Sequence, residues 1–354
     1  MQELTSAAIA LLKSLIQTPS LSRQEIDTAA VLSRFFSQHH IPFQQQGYNL
    51  WAKNQHWQDG KPVILLNSHH DTVKPNPSWQ RDPFHAGVEG DQLFGLGSND
   101  AGGPLVSLIA TFVHFYPQPD LPFNLLIAAT AEEEISGPNG IASILDRLGP
   151  IDLGIIGEPT EMHLAIAEKG LMVLDGIAKG VAGHAAREEG VNAIYEALED
   201  IAWFGSYQFE KVSDFLGPVK MSLTQIKAGS QHNVVPDQCS FVVDVRTNEL
   251  YSNQEVFEII QQHTQSKMKA RSFRLNSSRL DPQHPLVQKG LAMGRKTYGS
   301  PTLSDQALIP YPTLKMGPGD SARSHTADEY IRLSEIAAAI PMYIELLSGL
   351  ELGA

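Results

Sequence analysis

Val63-Ile64-Leu65-Leu66 runs straight into Asn67-Ser68-His69-His70-Asp71. Four apolar residues without alternation read as a short strand buried on both faces. Similar runs recur at 123–129, 153–156 and 313–316. Between and around them lie segments with helical spacing, at 6–17, 22–39 (behind a cap at Ser22), 101–116 and 139–148. Doubly buried strands separated by helices indicate an α/β fold with a mostly parallel sheet.

The pattern changes near Ala167. A strand at 171–179, a helix at 192–204, strands at 219–227 and 241–246, a helix at 253–263 and a strand at 271–275 follow one another. That order belongs to a ferredoxin-like split βαβ sandwich. Helix and strand resume after Asn276, with 284–298 helical, a strand at 313–316 and a closing helix at 333–350. The expected organisation is a larger domain made of 1–167 and 277–354, with a small α+β domain inserted at 168–276.

At 354 residues the chain is long for one core and comfortable for two domains. Its apolar content of 42% and charged content of 18% suit a soluble globular protein. A net charge of -13 argues against a nucleic-acid partner, because phosphate binding needs a basic surface. The single cysteine, Cys239, excludes an internal disulfide and reads as a buried strand residue. No basic stretch followed by an apolar one opens the chain, and no apolar run approaches the ~18 residues of a membrane span. The expectation is a cytoplasmic protein with neither a membrane nor a nucleic-acid partner.

Chemistry-bearing residues cluster just after the strands. His69 and Asp71 follow the first buried strand, Glu132-Glu133-Glu134 the second and Glu158 the third. His325 lies in the glycine-rich loop after the fourth, and Asp100 in Gly95-Leu96-Gly97-Ser98-Asn99-Asp100 at the mouth of a helix. Each has a bland alternative when taken alone: surface histidines, a helix N-cap, solvated acids. Together they are not bland, because in open α/β sheets the loops at the carboxyl ends of strands gather on one edge. Two imidazoles and several carboxylates there would suffice for two hydrolytic metal ions with a carboxylate to spare.

These motifs resemble the two-zinc M20 metallopeptidase family, which includes acetylornithine deacetylase, succinyl-diaminopimelate desuccinylase, aminoacylases and glutamate carboxypeptidases. The resemblance rests on His-x-Asp after a strand, Gly-x-Gly-Ser-x-Asp, the acidic run, Gly157-Glu158-Pro159-Thr160 and the final His325-Thr326-x-Asp328-Glu329. It implies a zinc-hydrolase catalytic domain with an inserted lid that also builds a homodimer. His69 and Glu158 would hold one zinc, Glu134 and His325 the other, with Asp100 bridging and Asp71 orienting His69. Cobalt is a possible substitute metal. Glu133 would be the general base, and Glu132, one residue earlier, is the alternative. In the lid, His184 resembles the histidine that stabilises the oxyanion, and Asn233 and Arg246 resemble substrate-contacting positions. Ala101-Gly102-Gly103 stands where many members write Met-Lys-Gly-Gly, and Leu96 replaces a common arginine, differences that bear on substrate fit.

The activity so implied is removal of an acetyl or succinyl group from an amino acid such as ornithine or citrulline, in arginine biosynthesis. Glu168-Lys169-Gly170-Leu171-Met172-Val173 and the short lid look most like acetylornithine deacetylases. The alternatives are a succinyl-diaminopimelate desuccinylase, a dipeptidase or carboxypeptidase of the same family, or a metal-binding interaction protein without catalysis.

Overall fold

A computed structural model describes residues 1–187 and 189–352. The chain begins with α1 (Gln2–Ile16) and α2 (Ile26–Gln38), then β1 (Asn49–Lys53) and β2 (Val63–His69). Next come α3 (Gly103–Phe115), β3 (Asn124–Thr130), β4 (Leu153–Ile156) and β5 (Leu164–Glu168). They are followed by β6 (Met172–Lys179), α4 (Ala193–Ser206), β7 (Lys220–Ala228), β8 (Gln238–Arg246), α5 (Asn253–His263) and β9 (Lys267–Ala270). The last major elements are α6 (Pro285–Ala292), β10 (Thr313–Lys315) and α7 (Leu333–Leu347). Two compact units result: one from Met1–Ile166, Arg279–Tyr298 and Ser304 onward, the other from Ala167–Ser278 and Gly299–Leu303.

The first unit is built on a mixed nine-stranded sheet whose middle runs β1-β3-β2-β4-β10-β5. β3, β2, β4 and β10 are parallel, while β1 joins β3 and β10 joins β5 in antiparallel fashion. Every residue of β2, β3 and β4 is buried, as unbroken apolar runs require of a sheet covered on both faces. On one face α3 packs against the sheet and between α1 and α7, which is why apolar residues encircle it. On the other face Val63, Leu65, Leu126 and Ala128 pack with Ile141, Ile144, Leu148 and Ile309.

The second unit has the sheet order β7-β8-β6-β9, antiparallel throughout. Its βαββαβ sequence is that of a ferredoxin-like sandwich. Burial alternates along β8, and Phe241, Val243 and Val245 share one core with Ala197 and Phe204 of α4 and Val256 and Ile260 of α5. Cys239 is buried in this core. α4 is capped by the Asn192 side chain and α5 by a Ser252–Glu255 capping box. No helix among the described residues is long and apolar enough to cross a membrane.

Among the elements read from the sequence, four differ in the structure, three of them because tertiary partners override local signals. α2 starts at Ile26 and not at residue 22, because the Ser22 hydroxyl donates to Asp71 at 2.7 Å. The segment 139–148 is a 3-10 turn (Ile141–Ser143) and one helical turn (Leu145–Leu148), since Asn139 is drawn back to Glu132. α6 stops at Ala292, and Gly294 at φ 76° turns the chain into a strand at Thr297–Ser300. β9 occupies 267–270, ahead of the expected 271–275; Arg271 instead pairs with Asp175 across the sheet.

Candidate metal centre

Parallel pairing sets the carboxyl ends of β2, β3 and β4 level: His69 is in register with Thr130, and Asn67 with Ile156. The residues just beyond these ends therefore converge. His69 Nε2 lies 3.4 Å from Asp100 Oδ1, 3.7 Å from Glu133 Oε2 and 3.9 Å from Glu158 Oε1. His325 Nε2 lies 2.9 Å from Glu134 Oε2 and 3.6 Å from Asp100 Oδ2. Asp100 thus turns one oxygen toward each histidine. Two sets of ligand-type atoms, one from His69, Asp100 and Glu134 and one from His69, Glu133 and Glu158, are each compact enough to surround an ion.

Each side chain is set by its own local device. Asp71 Oδ1 stands 3.4 Å from His69 Nδ1, whose shorter contact, 3.0 Å, is to the Asp71 carbonyl. The same carboxylate accepts the backbone N–H groups of Glu133 (3.0 Å) and Glu134 (3.3 Å), so one buried acid aligns both the imidazole and the acidic run. Asp100 is not a helix cap. Its backbone is extended (φ -118°, ψ 98°), and the buried Glu329 holds the loop by accepting from the N–H groups of Gly97, Asn99 and Asp100. His325 sits in a loop at φ 61°, its carbonyl accepting from Asn76.

Glu132 and Glu133 go separate ways. Glu132 adopts a left-handed conformation (φ 54°), and its carboxylate accepts from Asn139 Nδ2 at 2.9 Å and Asn139 N at 3.3 Å. A Cβ at Gly137 would strike that carboxylate, so the position needs glycine. The Glu132 N–H donates to Glu25 Oε1, a buried acid ahead of α2. Glu132 is therefore occupied away from the histidines, whereas Glu133 faces His69.

The electrostatics are those of a crowded anionic pocket. Burial, reinforced by the charge of Asp100, pushes Glu158 up to about 8. Burial also lifts Glu133 well above the ordinary glutamate range, with Glu158 and Asp305 adding to it, and raises Glu134. His69 is raised despite its burial because Glu133, Asp100 and Asp71 surround it, and the Glu134 hydrogen bond pushes His325 up to about 9. A bound cation would offset the charge of such a set. His69 Nε2, fully buried, has no hydrogen-bond partner among the described residues, as an atom kept for a metal would. Imidazole and carboxylate donors suit zinc.

The family model of Peptidase family M20/M25/M40 matches residues 65–349. The chain belongs to this family. Succinyl-diaminopimelate desuccinylase 2 of Ruegeria sp. (strain TM1040) is 24% identical over 73% of this chain and 69% of its own. Succinyl-diaminopimelate desuccinylase of Xanthomonas campestris pv. campestris is 26% identical over 85% of this chain and 86% of its own. Among solved structures, the Bacillus subtilis YXEP protein, described as a dinuclear metal-binding peptidase, superposes with a TM-score of 0.76 at 18% identity over 100% of both chains. Aminopeptidase PepT of Bacillus cereus superposes with a TM-score of 0.78 at 17% identity, over 97% of this chain and 98% of that one. The chain is a metal-dependent amide hydrolase with the α/β fold of these M20 structures.

His69, Asp71, Asp100, Glu133, Glu134, Glu158 and His325 all meet in the first unit. His184, Asn233 and Arg246 belong to the second, where His184 pairs with Val234 across a two-stranded ribbon and Ala185 N donates to the Asn233 carbonyl at 3.0 Å. His184 Nδ1 accepts from Ala186 N at 3.1 Å, which leaves the proton on Nε2. Arg246 spends one edge of its guanidinium on Asp244, at 2.8 and 3.1 Å. Sequence reasoning gave no role to Glu329, Glu25 or Asp305. Glu329 alone carried a signal, as the last residue of the motif that contains His325.

Proposed function

We propose that this enzyme is a two-zinc deacylase of N-acyl amino acids. The observation that carries the reading is Asp100 between two histidines, one oxygen facing each. His69 and Glu158 would hold one ion, Glu134 and His325 the other, with Asp100 shared and Asp71 orienting His69. Zinc bound there would supply a water of lowered pKa and polarise the acyl carbonyl. Glu133 accepts the proton as water oxygen adds to the carbonyl carbon, then delivers it to the amine as the C–N bond breaks, leaving a carboxylate and a free amino acid. His184 Nε2 donates to the developing oxyanion. Asn233 and the unspent edge of Arg246 contact the substrate, the arginine gripping its carboxylate.

For the amino acid that carries the acyl group, the stretch Glu168–Val173 and a short lid at 168–276 support ornithine or citrulline, hence arginine biosynthesis in the cytoplasm. The desuccinylase names of the relatives favour a second reading, a succinyl-diaminopimelate substrate. The lid would also pair two copies, a reading supported by the edge strand β7 and by Tyr195 and Leu198, exposed on the adjoining α4. The test is turnover of N-acetyl-L-ornithine, N-acetyl-L-citrulline, N-succinyl-L,L-diaminopimelate and dipeptides by zinc- and cobalt-loaded enzyme. Turnover of an N-acyl amino acid supports the proposal; cleavage of dipeptides alone overturns it.

A further inference from the structure

On the sheet face away from α3, strand alternation sets Asn67 beside Leu65 and Thr130 beside Ala128. Both polar residues are fully buried. Asn67 stands two positions before His69, and Thr130 three before Glu133. Asp305 reaches them from the 3-10 turn Asp305–Leu308 and is itself only 3% exposed. Its Oδ2 accepts the Thr130 hydroxyl at 2.8 Å. In one orientation the Asn67 amide nitrogen donates to Thr130 Oγ1 at 3.0 Å. Turned over, it donates to the same Asp305 oxygen at 3.2 Å while the amide oxygen accepts from Ser68 N at 3.2 Å, so Asn67 is tied to Asp305 through Thr130 or directly. One carboxylate oxygen thus joins the ends of two adjacent parallel strands, just before they release His69 and the acidic run. Asp305 lies outside both sets of ligand-type atoms, yet its charge is felt at Glu133.

We propose that Asp305 is a positioning residue, a buried clamp across the carboxyl ends of β2 and β3 that fixes where Glu133 stands relative to His69. The proposal rests on the reading of Glu133 as the general base. Charge-assisted hydrogen bonds are the strong kind, and a misplacement of about 1 Å at a reacting group can cost ~10²-fold in rate. The last rung of the β2–β3 ladder is His69 with Thr130, so Asp305 grips where regular pairing ends.

Asp305→Ala, Asp305→Asn, Thr130→Val and Glu133→Gln separate the possibilities. They are assayed as zinc-loaded enzymes on whichever of N-acetyl-L-ornithine and N-succinyl-L,L-diaminopimelate the wild type turns over faster. Asp305→Ala should lower kcat by roughly 30- to 100-fold, with KM within about twofold and two zinc ions retained. Asp305→Asn should recover to within about threefold, because an amide oxygen can still accept from Thr130 and Asn67, and Thr130→Val should fall between. Independently of activity, amide exchange across residues 129–134 should quicken by about tenfold in Asp305→Ala and not in Asp305→Asn. Wild-type kcat and exchange in Asp305→Ala, or an Asp305→Asn variant as slow as Asp305→Ala, overturns the clamp. Should Asp305→Ala fail to fold, Thr130→Val at wild-type kcat and exchange does the same. Inactive Glu133→Gln beside fully active Asp305→Ala sinks the clamp alone; active Glu133→Gln removes the base reading instead.

Discussion

His69 and His325 face the same aspartate from supports of opposite kind. His69 ends a strand in the middle of the sheet, 1% exposed, with Asp71 behind its ring. His325 stands on a loop with its side chain 54% exposed. That loop is tied down by Arg323, which grips Glu335 of α7 through two hydrogen bonds of 2.8 Å. One half of the centre is therefore prebuilt by the fold, and the other can yield. Ligands locked by packing bind with less reorganisation than ligands on loops. The two cation positions should accordingly differ in affinity, with the ion at His69 and Glu158 the tighter.

The largest expected effect concerns the buried half. Glu133→Gln should cost about 10²–10⁴-fold in kcat with both ions retained, as measured by turnover beside metal analysis. Turnover near wild type would break the assignment of Glu133 to that half. Next, His69→Ala should abolish the tighter site and remove most of the zinc-dependent rise in Tm, whereas His325→Ala should lose one equivalent and keep most of that rise. Equal losses in the two variants, by calorimetric titration and thermal melts, would erase the distinction.

Asp71→Asn should weaken the tighter ion by about 10- to 100-fold, the usual cost of losing a ligand's carboxylate partner. Titration with a competing chelator measures it, and unchanged affinity would mean that the Asp71 carbonyl alone orients His69. The smallest effect belongs to Arg323→Ala. Loosening the loop should weaken only the second ion, by roughly three- to tenfold, as expected when a half-buried ion pair is lost. Weakening of both ions would contradict the separation of supports.

Much of this architecture was legible in the chain, for physical reasons. Val63–Leu66 and Leu153–Ile156 could be read as doubly buried strands because no polar residue interrupts them, and the parallel sheet then brought their following residues together. The second unit was legible because its strands and helices follow one another in ferredoxin-like order. What escaped reading depended on distant partners. Ser22 looks like a helix cap until Asp71 claims its hydroxyl. Residues 139–148 carry helical spacing, but Asn139 is bound to Glu132. Three adjacent glutamates cannot be told apart in one dimension; a left-handed turn at Glu132 divides them. Asp305 has no local pattern at all, and Glu329 only its place at the end of the His325 motif, since each acts on backbone or side chains far away in the chain.

Anomalous scattering at the zinc edge, from crystals of the zinc-loaded enzyme, tests the convergence of these side chains most directly. Two peaks are expected about 3.5–4 Å apart with Asp100 between them. The first should lie ~2.0–2.1 Å from His69 Nε2 and the second at the same distance from His325. A map with no zinc within bonding reach of His69 would contradict the account.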